Sequence, residues 1–380
     1  MPVNPALTRR SLIGLAGGAA IAAALGLASR PNAALAAGAA VSKNASDSAQ
    51  LDKLVFAWLP STEASNAEND ATYQELKKVL SDSAGLPVEF LTTTDYNITI
   101  EAIASGKAHL ASLGGEGYVQ AHAKNPAVIP LVIAADTKGT SDGAKYYSLL
   151  AVPADQLDTY KQGDAFTLDP IKGKRMSFVS ASSTSGFKVP GTQIVKHFGL
   201  GSTDELTREG FFSQVLFGSS HQGSLVNLCQ GDADVAAFDD ELLRDYCELT
   251  GGEELKPGAT YRVRDDAADP LDRVKGFELG IIQVIPVLNG PFAVNTDVVP
   301  ADIIKKLQDG LTAKSTADDP LLFGDKDSAM YTKEKNYGFT VVEDSWYDPV
   351  RALEDAGTAN ADTTAGSSAA DKSASAKKGA

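Results

Sequence analysis

Between residues 54 and 313 the sequence alternates short apolar runs with amphipathic stretches, and that alternation restricts the chain to an α/β fold with largely parallel sheets. Residues 54–59 (LVFAWL) are apolar throughout and stop at Pro60, as a buried strand does. Asn69 or Asp70 can then cap a helix over 72–84. There Tyr73, Leu76, Val79 and Leu80 recur at helical spacing, and Gly85 supplies the stop. Residues 88–91 read as a strand, 98–105 as a helix ending at Gly106, and 109–113 as a strand. Strands follow at 129–134, 147–152 and 176–179, then a helix over 186–197. Strands at 212–217 and 235–238 enclose a helix at 225–230, and 242–250 is expected to be helical. The late elements are strands at 281–286 and 293–295 and a helix over 301–313, behind Pro300.

A chain of 380 residues suits two such lobes with tails. The expected division puts 51–145 in the first lobe, 146–280 in the second and 281–350 back in the first. The crossings fall near 145–150 and 265–285. A ligand would then lie in the cleft, where strand ends and helix N-termini converge.

The N-terminus reads as a leader. Thr8-Arg9-Arg10-Ser11-Leu12-Ile13 sets paired arginines before an apolar Gly/Ala-rich run, 12–28, too short and too weakly hydrophobic for a stable membrane span. Ala34-Leu35-Ala36 fits an A-x-A cleavage site. Residues 1–36 therefore resemble a twin-arginine export signal, with an ordinary secretory signal as the alternative. Either predicts an exported protein on the periplasmic or outer cell-surface side. Residues 37–50 read as a flexible spacer and 357–380 as a disordered tail.

Charge narrows the partners. There are 34 basic and 49 acidic residues; without Arg9, Arg10 and Arg30 of the leader the balance is 31 − 49, or −18. Such a field repels nucleic acid, and it means that a small anion must be captured by local donors. Cys229 and Cys247 would be free to pair in an oxidising space, and the sequence leaves that pairing open. His109, His122, His197 and His221 show no metal-ligand spacing with them, so neither metal nor cofactor is expected.

The sharpest local signal is Ser180-Ala-Ser-Ser-Thr-Ser-Gly-Phe-Lys-Val-Pro-Gly191, a hydroxyl cluster between a strand and a helix. Hydroxyls and free N–H groups at a helix start suit a small oxyanion, though the same residues also make ordinary caps. Ser183, Thr184 and Ser185 can donate together, and Gly186 would let the backbone come close to the ion. Ser185-Gly-Phe-Lys188 matches S-x-x-K, but the S-D-N and K-T-G companions are missing, and no G-x-x-x-x-G-K-[ST] loop is present. Thr94-Asp95-Tyr96 before one helix and Gly218-Ser-Ser-His-Gln-Gly223 before another offer a phenol and an imidazole.

In their order these segments resemble the phosphonate/phosphite-binding proteins of ABC importers. The resemblance runs from about residue 54 to 344. Thr94-Asp95-Tyr96 with Ile100-Glu-Ala-Ile and Gly106-Lys is similar to that family's T-D-Y segment, and Lys145-Tyr146-Tyr147-Ser148 to its aromatic crossover strand. Ser183-Thr-Ser-Gly-Phe-Lys-Val-Pro-Gly191 is similar to its S-T-S-G loop ending in V-P-G. Ser220-His221 and Gly231-Asp-Ala-Asp-Val-Ala236 follow in place.

The resemblance implies a two-lobed periplasmic-binding fold of type II, a monomer without catalysis, and delivery of a phosphorus oxyanion to a membrane ABC permease. It implies that Ser183, Thr184 and Ser185 hold the phosphoryl oxygens and that Tyr96, Tyr146 and His221 donate to them. Glu241, and less directly Asp239, would face an ammonium group. One departure stands out: aminophosphonate binders place an acid just before a late proline, and here the segment is Leu288-Asn289-Gly290-Pro291. That points to phosphite, a simple alkylphosphonate or phosphate. The rival readings are the same fold binding a thiamine precursor or a sulfonate, and a secreted serine hydrolase using Ser185, His221 and Asp239 without a G-x-S-x-G elbow.

Overall fold

The computed structural model describes residues 51–60, 70–325 and 328–353; the leader, the spacer and the tail lie outside them. The first strand, β1 (Leu54–Trp58), is followed by helix α1 (Ala71–Ala84). Of the two expected caps it is Asp70 that serves, accepting from Thr72 N at 2.8 Å and Tyr73 N at 3.3 Å. Gly85 closes the helix at φ 69°, in the left-handed region. Next come β2 (Val88–Thr92), α2 (Tyr96–Ala104) and β3 (Leu110–Ser112). Helix α3 (Gly115–Lys124), where the sequence reading had no element, precedes β4 (Val128–Ala134). Gly114, Gly115 and Gly117 hide its start from propensity, and packing requires the first of them: a Cβ on Gly114 would stand 2.7 Å from Thr184 Oγ1, while one on Gly115 would press on Val350 at 3.2 Å.

The long strand β5 (Lys145–Pro153) opens the second set of elements, with β6 (Arg175–Phe178), α4 (Val189–Phe198) and β7 (Gln214–Phe217). Then follow α5 (His221–Cys229), β8 (Val235–Asp239) and α6 (Asp240–Tyr246). The helix expected over 242–250 is corrected: it stops at Tyr246, and Cys247–Gly251 is strand β9, paired antiparallel with β10 (Thr260–Val263). Seven residues of mixed polarity do not distinguish helix from edge strand, and pairing with β10 decides it. The chain returns along β11 (Glu278–Leu288) into β12 (Pro291–Asn295), α7 (Ala301–Leu311) and the short β13 (Phe339–Thr340).

Two sheets result. The first has the order β13-β4-β12-β3-β1-β2 and the second β9-β10-β11-β5-β8-β6-β7. The largely parallel sheets expected from the sequence are corrected: both are mixed and mostly antiparallel, with β12 antiparallel to β3 and β4, and β5 antiparallel to β8 and β11. These antiparallel strands carry the chain between sheets. β11 stays paired with β5 as far as Leu288↔Lys145, so residues 281–288 belong to the second sheet by their hydrogen bonds and the first is re-entered at Pro291. Each sheet is covered on both faces, as strand alternation requires. In β1, Leu54, Phe56 and Trp58 pack beneath α1 and α7 while Ala57 faces α2 and α3. In β5, Leu149 and Ala151 face one core and Leu150 and Val152 the other. Cys229 and Cys247 are not joined by a disulfide.

Candidate functional site

A cavity of about 850 Å³ is lined by elements of both sheets. All eight residues singled out from the sequence line it: Tyr96, Tyr146, Ser183, Thr184, Ser185, His221, Asp239 and Glu241.

The serine loop follows β6. The backbone makes one π turn, Thr184–Lys188, before settling into α4, and Ser183 caps the turn by accepting from Gly186 N at 3.0 Å. Ser183, Thr184 and Ser185 are almost wholly buried. Ser185 O accepts from Ser148 Oγ at 2.6 Å, which ties the loop to β5. Gly186 meets a constraint beyond the one expected: a Cβ there would stand 2.2 Å from Val179 Cγ2, so the core leaves no room for a side chain.

Thr184 reaches the first sheet's elements. Its Oγ1 accepts from Glu116 N at 2.8 Å and so caps α3, whose own N-cap, Gly114, has no side chain to do so. The approach is close; a Cβ on Gly114 would lie 2.7 Å from that oxygen. The Ser183 and Thr184 hydroxyls accept in these bonds and keep their own protons to donate. Ser182 Oγ adds bonds to Asn97 Oδ1 (2.9 Å) and Gln120 Oε1 (3.0 Å).

Tyr96 opens α2 behind its cap, Asp95. Burial and the Asp239 charge raise its phenol well above the usual range, and hydrogen bonding with Ser183 opposes that. Tyr146, on β5, is raised in the same way by burial, with hydrogen bonding to Ser185 opposing. Both phenols therefore stay protonated as donors.

His221 opens α5. Its Nδ1 accepts from Asp239 N at 3.1 Å, which puts the proton of the neutral ring on Nε2, 3.2 Å from Asp239 Oδ2. Both ring nitrogens thus face Asp239. A catalytic triad instead uses one nitrogen for the acid and the other for the nucleophile. Asp239 caps α6 by accepting from Leu242 N at 3.2 Å. Burial, then repulsion from Asp240, raises its carboxyl; the cavity walls around Glu241 raise it too, although that residue is exposed to solvent, with Arg244 opposing and Asp239 adding.

Sequence reasoning missed Asp240. Its carboxylate is fully buried, accepts from Tyr147 N at 2.7 Å and pairs with Lys335. The neighbouring Asn336 donates to Ala135 O at 2.9 Å, just past β4, so the pair joins α6 to the first sheet's side. Lys188 and Glu116, 3.7 Å apart, make a second such link. The only sequence signal was the acidic run Asp239-Asp240-Glu241. Asn289, which stands where an acid was looked for, donates to Ala134 O at 2.8 Å and its carbonyl accepts from Tyr347 Oη at 2.9 Å. It braces the return strand.

Among the described residues no group of three His, Cys, Asp or Glu side chains is placed to hold a metal ion, and no helix is long and apolar enough to cross a membrane.

Comparison with known proteins gives a consistent set of likenesses. A family model described as the phosphonate ABC transporter's periplasmic substrate-binding protein matches residues 56–347. The phosphate-import protein PhnD of Mycolicibacterium smegmatis is 26% identical over 308 residues, covering 80% of this chain and 85% of that protein. Two solved structures share the fold. A binding protein component of an ABC phosphonate transporter from Pseudomonas aeruginosa has TM-score 0.56 at 18% identity, over 79% of this chain and 85% of its own. PhnD1 from Prochlorococcus marinus, in complex with methylphosphonate, has TM-score 0.56 at 15% identity, over 80% and 97%.

Proposed function

The chain belongs to the family of periplasmic substrate-binding proteins of phosphonate ABC transporters, and from that premise we propose that its cavity captures a phosphorus oxyanion outside the cytoplasm and presents it to a membrane permease. The observation that carries the reading is the convergence of donors on one cavity: the buried 183–185 hydroxyls, the phenols of Tyr96 and Tyr146, and the starts of α2 and α5. Neutral dipoles of this kind hold an anion without an added cation, and helix N-termini favour negative charge. This reconciles an anionic ligand with an acidic chain.

In this reading Ser183, Thr184 and Ser185 grip the phosphoryl oxygens from the second sheet, and Tyr96 closes on them from the first. Capture is coupled to docking of the serine loop on α3, because Thr184 makes both contacts. Phosphite, an alkylphosphonate and phosphate all fit. The arginine pair and the A-x-A site make twin-arginine export the favoured route, and the mature chain works as a monomer. The His221 geometry supports binding rather than hydrolysis.

The test is thermal unfolding of ligand-stripped protein with phosphite, methylphosphonate, phosphate, 2-aminoethylphosphonate and sulfate. A ligand at about 100 times its Kd stabilises by about 2.7 kcal/mol. A rise with a phosphorus oxyanion is expected. No rise with any of them would remove the substrate assignment.

A further inference from the structure

The cavity holds a charge conflict that its donors leave open. The ligand proposed above is an anion, yet Asp239 and Glu241 line the same space. Asp239 is fixed beside the serine loop: β8 sets it opposite Ser148 of β5, and Ser148 donates to Ser185 O. Its side chain is 13% exposed, with Oδ1 accepting from Leu242 N and Oδ2 facing His221 Nε2.

The charged and titratable groups around it do not neutralise it. Asp240 and Glu241 follow on α6, and Asp240 is matched by Lys335. Arg244, also on α6, is forked onto Asp245 at 2.6 and 3.2 Å. From α5 comes His221, whose Nδ1 accepts a backbone N–H and which is therefore the neutral ring. From α2 and β5 come the phenols of Tyr96 and Tyr146, protonated donors. Arg244 offsets Asp239 and Glu241 only in part, since it is shared with Asp245; of the other cations lining the cavity, Arg264 pairs with Asp266 and Lys145 lies over the Tyr147 ring. Among the described residues a dianion in the serine loop would therefore face two carboxylates against one shared guanidinium. An ionised carboxylate is an acceptor only, so the oxyanion it tolerates beside it must present a hydrogen.

We propose, building on the reading of the site given above, that Asp239 sets the specificity of the cradle: its carboxylate accepts the P–OH of a singly protonated phosphorus oxyanion. The site then takes the monoanion and rejects tetrahedral anions that carry no proton, such as sulfate. A hydroxyl donating to a carboxylate makes a short, charge-assisted bond, which turns the local repulsion into attraction. No covalent step is involved. Where the free ligand is a dianion and Asp239 is itself ionised, one proton is taken from solvent on binding; where burial already keeps the acid protonated, that proton is shared with the ligand instead. Burial of Asp239 agrees with a site in which a carboxylate and a phosphoryl oxygen share a proton.

The experiment is titration calorimetry of wild type and Asp239→Asn with inorganic phosphate, methylphosphonate, 2-aminoethylphosphonate and sulfate. It covers about pH 6 to 9 in two buffers of different ionisation enthalpy, which counts protons. Asparagine caps a helix as well as aspartate, and Asp239→Ser provides a second capped variant should the first unfold. In wild type, above the second ionisation of phosphate or methylphosphonate, Kd should weaken about tenfold per pH unit with one proton taken up, and sulfate should give no binding. In the variant the amide donates to a bare oxygen, so the pH slope should vanish and sulfate affinity should rise at least about tenfold. A wild-type Kd that stays flat with pH overturns the proposal. So does a variant that still rejects sulfate. So does 2-aminoethylphosphonate binding more tightly than methylphosphonate without a pH slope, since an ammonium would then answer the acids. Failure of every phosphorus oxyanion to bind at any pH would instead remove the functional reading, and the proposal with it.

Discussion

Replacing Gly186 by alanine should destabilise the protein through a single contact. The added Cβ would lie 2.2 Å from Val179 Cγ2 and 2.4 Å from Val179 Cβ, and Val179 is fully buried, so neither side can withdraw into solvent. Overpacking of this kind costs about 1–3 kcal/mol, and so enclosed a contact belongs near the upper end. Val179→Gly removes the whole side chain, three carbons, about 2.4 kcal/mol of transfer, and with the loosened backbone about 3 kcal/mol together. It also removes the Cβ at 2.4 Å, which an alanine would keep, so in the double variant the Gly186→Ala methyl enters the space the valine leaves. The two single losses sum to about 6 kcal/mol, and the double variant should lose only about 3–4, a coupling of about 2 kcal/mol. Urea unfolding of the ligand-free proteins measures all four corners of the cycle. Additivity within about 0.5 kcal/mol would refute the reasoning, as would a Gly186→Ala protein as stable as wild type.

Three further outcomes follow from the same geometry. Thr184→Val leaves Glu116 N without its acceptor in a buried setting and should cost about 1–3 kcal/mol in unfolding free energy, with Thr184→Ser restoring most of it. Lys335→Met strands the buried Asp240 carboxylate; because Lys335 is 35% exposed, the loss seen in urea unfolding should be about 2 kcal/mol, below the 3–5 of a fully buried pair. Asp239 and Glu241 have carboxyls raised in the folded state, so they favour folding below the ordinary carboxylate range, and that contribution is lost as pH rises through their raised values. The ligand-free protein should therefore weaken between about pH 4 and neutrality at these positions, and the doubly amidated Asp239→Asn, Glu241→Gln protein should show a flatter stability–pH curve.

The site was more legible in the sequence than parts of the fold, for a physical reason. Hydroxyls between a strand and a helix, a tyrosine at a helix start and a histidine at another are local signals, and all eight singled-out residues do line one cavity. The contacts that assemble the cavity are not local. Asp240 and Lys335 lie 95 residues apart, and Thr184 and Glu116 lie 68 apart, so no window of sequence contains either pair. Helix α3 escaped because its glycines lower helix propensity, while at Gly114 tertiary packing leaves no room for a Cβ. Strand β9 was read as helix because its pairing partner, β10, begins nine residues after it ends. Gly186 shows the converse: the sequence singles the position out for approach to an ion, while its contact with Val179 is visible only in three dimensions.

The central claim is that the serine loop and the two phenols hold the phosphorus atom of the ligand. A crystal structure of the ligand-stripped and reloaded protein with methylphosphonate tests it most directly. The account predicts phosphoryl oxygens within hydrogen-bond distance, about 2.5–3.2 Å, of Ser183, Thr184 and Ser185, with the Tyr96 hydroxyl on the opposite side. Methylphosphonate bound elsewhere on the chain, or in the cavity with its oxygens turned away from that loop, would contradict it.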